Sequence, residues 1–158
     1  MRVGFGYDIH RLVKERDLIL AGIKIPYRKG LLGHSDGDVV LHAIADAILG
    51  ALNKNDIGKY FPCSDSKFTN ISSTVIISKV IDIMKKENYE INNMDTTIVT
   101  EKPFLQPYIS IMKKSLAKIL RIKQKAISIK SKTNEGIGEI GRNKAIACYT
   151  VVLLLPTG

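Results

Sequence analysis

From Val39 to Leu52 the chain is apolar at nearly every position, VVLHAIADAILGAL, and is built from good helix formers. A run that is apolar nearly all round predicts a buried helix, here Val39 to about Asn53. The polar stretch ahead of it, Gly33 to Asp38, reads as a loop in which Asp36 or Asp38 can accept the free N–H groups of the first helical turn. Arg2 to Ile9, RVGFGYDI, carries valine and aromatics in a short segment and predicts a strand ending at His10. Asp17 to Pro26 reads as strand with a turn or bulge at Gly22, and Tyr27 to Gly37 as loop. Apolar positions at Ile71, Val75, Ile76, Val80, Ile83 and Met84 give a helical face over Ile71–Lys86. Thr96 to Thr100 is a β-branched strand, Leu105 to Arg121 a helix, Ala126 to Ser131 a strand, and Ala145 to Leu155 a strongly apolar strand expected in the middle of a sheet. Strands and helices therefore follow one another in α/β order.

Length fits one domain, 1–158, and 45% hydrophobic residues suffice for a sizeable core. No apolar run approaches the ~18 residues that span a bilayer, and the N-terminus enters a strand with no signal-peptide pattern, so a cytoplasmic protein or one already processed is expected. Cys63 and Cys148 lack metal-ligand or redox spacing and are expected as free thiols. A formal charge of +9 raises nucleic acid, an acidic membrane or a small polyanion drawn into a cleft as partners. The basic residues lie in short clusters such as Lys113–Lys114 and Lys123–Lys125 without interleaved aromatics, which fits a solvated face with a minor part in steering a small polyanion, and neither nucleic acid nor membrane. Gly4 and Gly6 form a G-x-G with no third glycine and no preceding strand, so no dinucleotide fingerprint is read there.

The chemistry concentrates between His34 and Asp46. Asp38, His42 and Asp46 are four residues apart each time and would stack along one helix face. Asp8 and His10 alternate on one face of the first strand. One carboxylate and two imidazoles, Asp8, His10 and His42, form a zinc set that leaves a fourth position to water or substrate, as in catalytic sites. Asp46 or Asp38 would then hold the second ring nitrogen of His42. Asn55 to Asn70 is a long turn-rich loop of the kind that carries function. In KTNEGIGEIGRN, glycines 136, 138 and 141 can turn backbone N–H groups toward phosphate, although such loops also serve as plain turns.

GYDIHRL, GLLGHSDGDVVLHAIADAILGAL and DIGKYFP, in this order and at these separations, resemble the 2-C-methyl-D-erythritol 2,4-cyclodiphosphate synthase family over essentially all 158 residues. The resemblance implies an α/β (α+β type) single domain with one mixed sheet, helices on one face, and assembly as a homotrimer with sites shared between subunits. It implies that 4-diphosphocytidyl-2-C-methyl-D-erythritol 2-phosphate is cyclised with release of CMP, in isoprenoid precursor synthesis by the non-mevalonate route. It implies Zn2+ on Asp8, His10 and His42, and Mg2+ or Mn2+ on Glu135 with the substrate diphosphate. His34 and Ser35 would orient the attacking phosphate and Thr133 would support the transition state. Asp56, Ile57, Gly58, Phe61, Pro62 and Asp65 would line the methylerythritol end. Thr100, Pro103, Phe104, Leu105 and Gln106 would hold cytosine, with Lys132 and Asn134 beside the diphosphate. In some members an isoprenoid diphosphate occupies the trimer axis, with an arginine at the position of Arg142.

The chain departs from the family's usual residues at Cys63, Phe104, Lys132, Asn134, Glu139 and Asn143-Lys144. Family members commonly carry lysine where Phe104 stands, and an aromatic residue where Glu139 stands. A plastid-type organelle would replace the cytoplasm if the source is eukaryotic. Two other readings use the same residues differently. A zinc-dependent phosphoester hydrolase would employ the same three ligands with metal-bound water. A basic nucleic-acid-binding module would be indifferent to His42.

Overall fold

The computed structural model describes residues 1–62, 65 and 71–158. Its frame is a five-stranded mixed sheet of Arg2–Lys14 (β1), Lys29–Leu31 (β4), Tyr89–Val99 (β5), Ile127–Lys132 (β6) and Ala145–Pro156 (β7), in the order β4-β1-β7-β5-β6. Among these described strands, only β5 and β6 pair in parallel. The apolar segment ending the chain is indeed central: β7 pairs antiparallel with β1 along one edge and β5 along the other. A separate hairpin, Leu18–Leu20 (β2) and Ile23–Ile25 (β3), turns at Ala21-Gly22 with φ of 55° and 74°. Both turn residues are left-handed, as a tight hairpin with right-twisted strands requires.

Val39–Ala51 (α1) buries 11 residues and lies directly on β1. A Cβ built at Gly4 would fall 1.8 Å from the carbonyl oxygen of Ala47, and one at Gly6 would fall 1.9 Å from that of Ala43. No side chain fits there, so the G-x-G of β1 is the seat of the helix. Ser73–Lys86 (α3) and Ile109–Leu120 (α4) complete the helical layer, each burying one amphipathic face: Ile76, Ile77, Val80, Ile81 and Met84 from α3, and Met112, Leu116 and Leu120 from α4. Two one-turn helices, Ile57–Tyr60 (α2) and Gly138–Gly141 (α5), interrupt what the sequence presents as loops. The opposite face of the sheet exposes Val3, Phe5, Tyr7 and Ile9 from β1, with Tyr149 and Val151 from β7.

Several boundaries differ from the sequence pattern for identifiable reasons. β1 runs on to Lys14 because Leu12 to Lys14 pair with β4, a strand hidden in a segment that looks like loop. β5 begins at Tyr89 and not at Thr96, since polar Glu90, Asn92 and Asn93 mask a buried row of Ile91, Met94, Thr96 and Ile98. A bulge between Ile91 and Asn93 breaks the alternation further. Among the described residues no helix is long and apolar enough to cross a membrane. Cys148 is a buried free thiol on β7, and Cys63 lies outside the described residues.

Candidate active site and metal centre

β1 delivers Asp8 and His10 to the helical side of the sheet, and α1, seated on the two glycines, brings His42 to them. The three ligand atoms converge: His10 Nε2 lies 3.3 Å from His42 Nδ1, and Asp8 Oδ2 lies 3.0 Å from the first and 2.9 Å from the second. Tetrahedral zinc with bonds of ~2.0–2.1 Å separates its ligand atoms by about 3.3 Å, so this donor set can hold a metal ion. Burial disfavours the Asp8 carboxylate, but hydrogen bonds and charge from His10 and His42 outweigh that and hold it well below the usual carboxylate range. Burial likewise disfavours a His42 cation, and Asp8 more than compensates, raising its pKa. Each shift states the same fact: an anion and an imidazole pair here in partial isolation from water.

A cavity of about 160 Å3 opens onto this triad, lined also by His34, Ser35, Ile57, Gly58, Phe61 and Asp65 from the sequence-predicted set, and by Ile71 and Ile76. Asp56 is not among its walls. Its carboxylate caps α2 by accepting the Lys59 N–H at 3.2 Å, fixing the turn that presents Ile57 and Gly58. Pro62 follows that turn without lining the cavity.

The expectation that Asp38 or Asp46 holds the second nitrogen of His42 is wrong. Asp38 is the N-cap of α1, and its carboxylate accepts from Val40 N and Leu41 N and, across the fold, from Ala21 N and Gly22 N of the β2–β3 turn. Burial pushes its carboxyl up to about 6, with those backbone donors restraining the rise. Asp46 accepts from Ile57 N at 2.8 Å and so ties α2 to α1; burial raises its pKa as well. The Nε2 of His42 faces two hydroxyls instead, Ser73 Oγ at 2.9 Å and Ser35 Oγ at 3.1 Å.

A second, smaller cavity of about 80 Å3 sits at the carboxyl ends of β5 and β6, walled by Thr100, Pro103, Phe104, Leu105, Gln106, Lys132 and Thr133, with Glu101 and Ser131. It shares no wall with the first. Asp8 pairs with Cys148, Cys148 with Ile98, and Ile98 with Ser131, so three strand spacings of ~4.8 Å, roughly 14 Å in all, separate the two at the backbone. Glu135, exposed at a positive φ of 50°, accepts from Thr133 Oγ1 at 3.1 Å. Asn134 donates to Ile137 O, and its own N–H goes to Glu101. Arg142 points to neither cavity but pairs with Glu139, which also meets Lys144.

The sequence profile of the YgbB family matches residues 1–155. The chain belongs to the YgbB family. A 2-C-methyl-D-erythritol 2,4-cyclodiphosphate synthase from Brachyspira hyodysenteriae is 52% identical over 157 residues, covering 99% of each chain, and one from Prochlorococcus marinus is 52% identical over 97% of this chain and 93% of its own. Among solved structures, the bifunctional IspDF of Campylobacter jejuni aligns with a TM-score of 0.93 at 35% identity over 97% of this chain, which spans 42% of that longer one. The CDP complex of the Plasmodium falciparum enzyme aligns with a TM-score of 0.87 at 37% identity, covering 99% of this chain and 97% of that one.

For this YgbB-family chain, sequence reasoning missed Ser73 and gave Asp36 only a capping role. A signal was present, since two serines head the apolar run of α3 and one was bound to cap it: Ser72 Oγ accepts from Thr74 N. That left Ser73 pointing inward, fully buried, which no spacing along the chain announces.

Proposed function

We propose that the chain is a 2-C-methyl-D-erythritol 2,4-cyclodiphosphate synthase acting in the cytoplasm. An oxygen of the substrate's 2-phosphate attacks the β-phosphorus, the new P–O bond closes an eight-membered cyclic diphosphate, and the bond from β-phosphorus to the bridging oxygen breaks, leaving CMP with the electron pair. Nothing in the balance requires water or a covalent protein nucleophile. The observation that carries this reading is the convergence of Asp8, His10 and His42 on one cavity beside His34 and Ser35.

Zinc on Asp8, His10 and His42 supplies a Lewis acid for a phosphate oxygen when bound. The remaining work falls to side chains. His34 and Ser35 orient the attacking phosphate, while Ile57, Gly58 and Phe61 enclose the methylerythritol carbons and shut out water. Thr100, Pro103, Phe104, Leu105 and Gln106 shape the cytosine pocket, Lys132 stands at its diphosphate mouth, and Thr133 donates to developing negative charge. Glu135 offers an exposed carboxylate to Mg2+ or Mn2+ shared with a diphosphate.

A homotrimer completes the site. The uncovered sheet face, with Phe5 61% and Val3 66% exposed, is the apolar surface that a neighbouring copy would cover, bringing one copy's nucleotide pocket to another's metal centre. Turnover in oxygen-18 water tests the chemistry: the cyclic product is expected without label. Label in the released phosphate groups would instead make the protein a phosphoester hydrolase.

A further inference from the structure

The inner wall of the metal centre contains a chain of polar groups that the mechanism above does not use. Ser73 Oγ donates a short hydrogen bond to Asp36 Oδ1, and the same Asp36 carboxylate accepts Ser73 N at 3.0 Å and Ser72 Oγ at 3.4 Å. A serine hydroxyl has one proton and two lone pairs. Since the proton of Ser73 is committed to a carboxylate, which cannot donate back, the hydroxyl can meet His42 Nε2 only as an acceptor. The 2.9 Å contact between them is therefore Nε2–H to Oγ, so a neutral His42 ring has its lone pair on the other nitrogen, Nδ1, on the side where Asp8 and His10 converge.

We propose that Ser73 and Asp36 are positioning residues for the metal centre: the relay His42 Nε2–H, Ser73 Oγ–H, Asp36 carboxylate fixes the ring's orientation and makes Nδ1 the ligand nitrogen. Ser35 does a different job despite lying 3.1 Å from the same nitrogen. Its oxygen already accepts Gly37 N at 3.1 Å, and it lines the open cavity, whereas Ser73 is fully buried and does not. The division leaves the Ser35 hydroxyl for substrate and the Ser73 hydroxyl for the protein. Because Asp36 is also bound to the first turn of α3, the orientation of His42 is tied to where that helix begins.

This assignment rests on the zinc reading above, and the experiment separates the two. Zinc affinity of the full chain is measured by chelator competition for the wild type, Ser73→Ala and Ser35→Ala. Ser73→Ala is expected to bind Zn2+ about 10–100-fold more weakly, with Ser35→Ala within about twofold of the wild type. In the zinc-loaded wild type, the His42 Nε2–H proton should appear in NMR spectra as a slowly exchanging imidazole signal, and Ser73→Ala should lose it to solvent exchange. If the wild type binds no zinc, the metal reading fails. If it binds zinc while Ser73→Ala keeps the same affinity and signal, only the relay fails. An equal loss in Ser35→Ala overturns the choice of Ser73, and should Ser73→Ala not fold, absence of the protected signal in the wild type overturns it alone.

Discussion

The two cavities are built on opposite principles. Around His42 nearly every polar atom is already engaged: Asp8 with two imidazoles, Asp36 with the start of α3, Asp38 with four backbone N–H groups. At the carboxyl ends of β5 and β6, Thr133 and Glu135 are exposed and bond chiefly to each other. The formal charge of the chain is concentrated in one stretch of its sequence. Residues 102–134 hold nine lysines and arginines and no acidic residue, which matches the formal excess of +9 for the whole chain. The metal half is thus preorganised by folding, whereas the half proposed for the nucleotide is less engaged, with Lys132 and Glu101 of opposite charge in its wall and Thr133 and Glu135 exposed beside it. Preorganised groups cost no reorganisation during reaction, so they belong where charge must be held throughout; open ones admit and release a large substrate.

The sharpest way to break that comparison is to damage each half separately and then mix them. His42→Ala should abolish zinc retention and lower turnover by about 10³-fold or more, the loss of a Lewis acid worth several kcal/mol. Thr133→Ala should lower turnover by about 10²-fold while changing stability by less than about 0.5 kcal/mol. If sites form between copies, trimers reassembled from an equal mixture of the two inactive variants should regain activity at about one site in four, those pairing an intact metal half with an intact nucleotide half. Mixtures that stay inactive after subunit exchange would place both halves of a working site on one chain.

The preorganised half was also the more legible one. Asp8, His10 and His42 could be read as a ligand set because strand alternation and an apolar helix fix side-chain directions from local rules. What surrounds them could not. Asp38 and Asp46 share helical spacing with His42, yet Asp38 sits at the cap, where its carboxylate turns back onto the backbone, and Asp46 is taken by Ile57 N. Ser73 reaches His42 from 31 positions away, through the packing of α3 on α1. In the fold, long periodic elements were read correctly, whereas β4 and the first half of β5 were not, because pairing with a neighbour and not their own composition makes them strands. The glycines of β1 were dismissed as a cofactor motif without their packing role being visible.

Those glycines give the next test, intermediate in size. Gly6→Ala would set a Cβ 1.9 Å from a backbone oxygen of α1, a clash that only displacement of the helix relieves. A loss of about 3 kcal/mol in denaturant titrations is expected, with weakened zinc binding in the protein that remains folded, since the helix carries His42. Gly50→Ala, where the added carbon would meet only Phe5 O at 3.8 Å, should leave zinc binding intact. Equal zinc affinity in the Gly6 and Gly50 variants would show that the metal half does not depend on how closely α1 approaches β1.

The smallest expected effect separates a fastening from a metal support. Asp46 Oδ1 accepts only the Ile57 N–H among its described hydrogen bonds, so Asp46→Ala should cost about 1 kcal/mol and loosen the α2 turn, while Asp46→Asn keeps an acceptor and should cost less. Neither should alter zinc affinity. The sign of the pH dependence follows from burial, which raises the Asp46 pKa on folding. A carboxyl that binds its proton more tightly when folded adds stability below its unfolded value of about 3.9 and loses that contribution as pH rises through the window up to its raised folded value. The stability of the wild type relative to Asp46→Asn should therefore fall across that window and then level off, read from thermal melts at a series of pH values. A difference that grows with pH instead would mean that Asp46 is held by a cation, and a weaker zinc site in Asp46→Asn would return it to the shell around His42 from which its bond to Ile57 removes it.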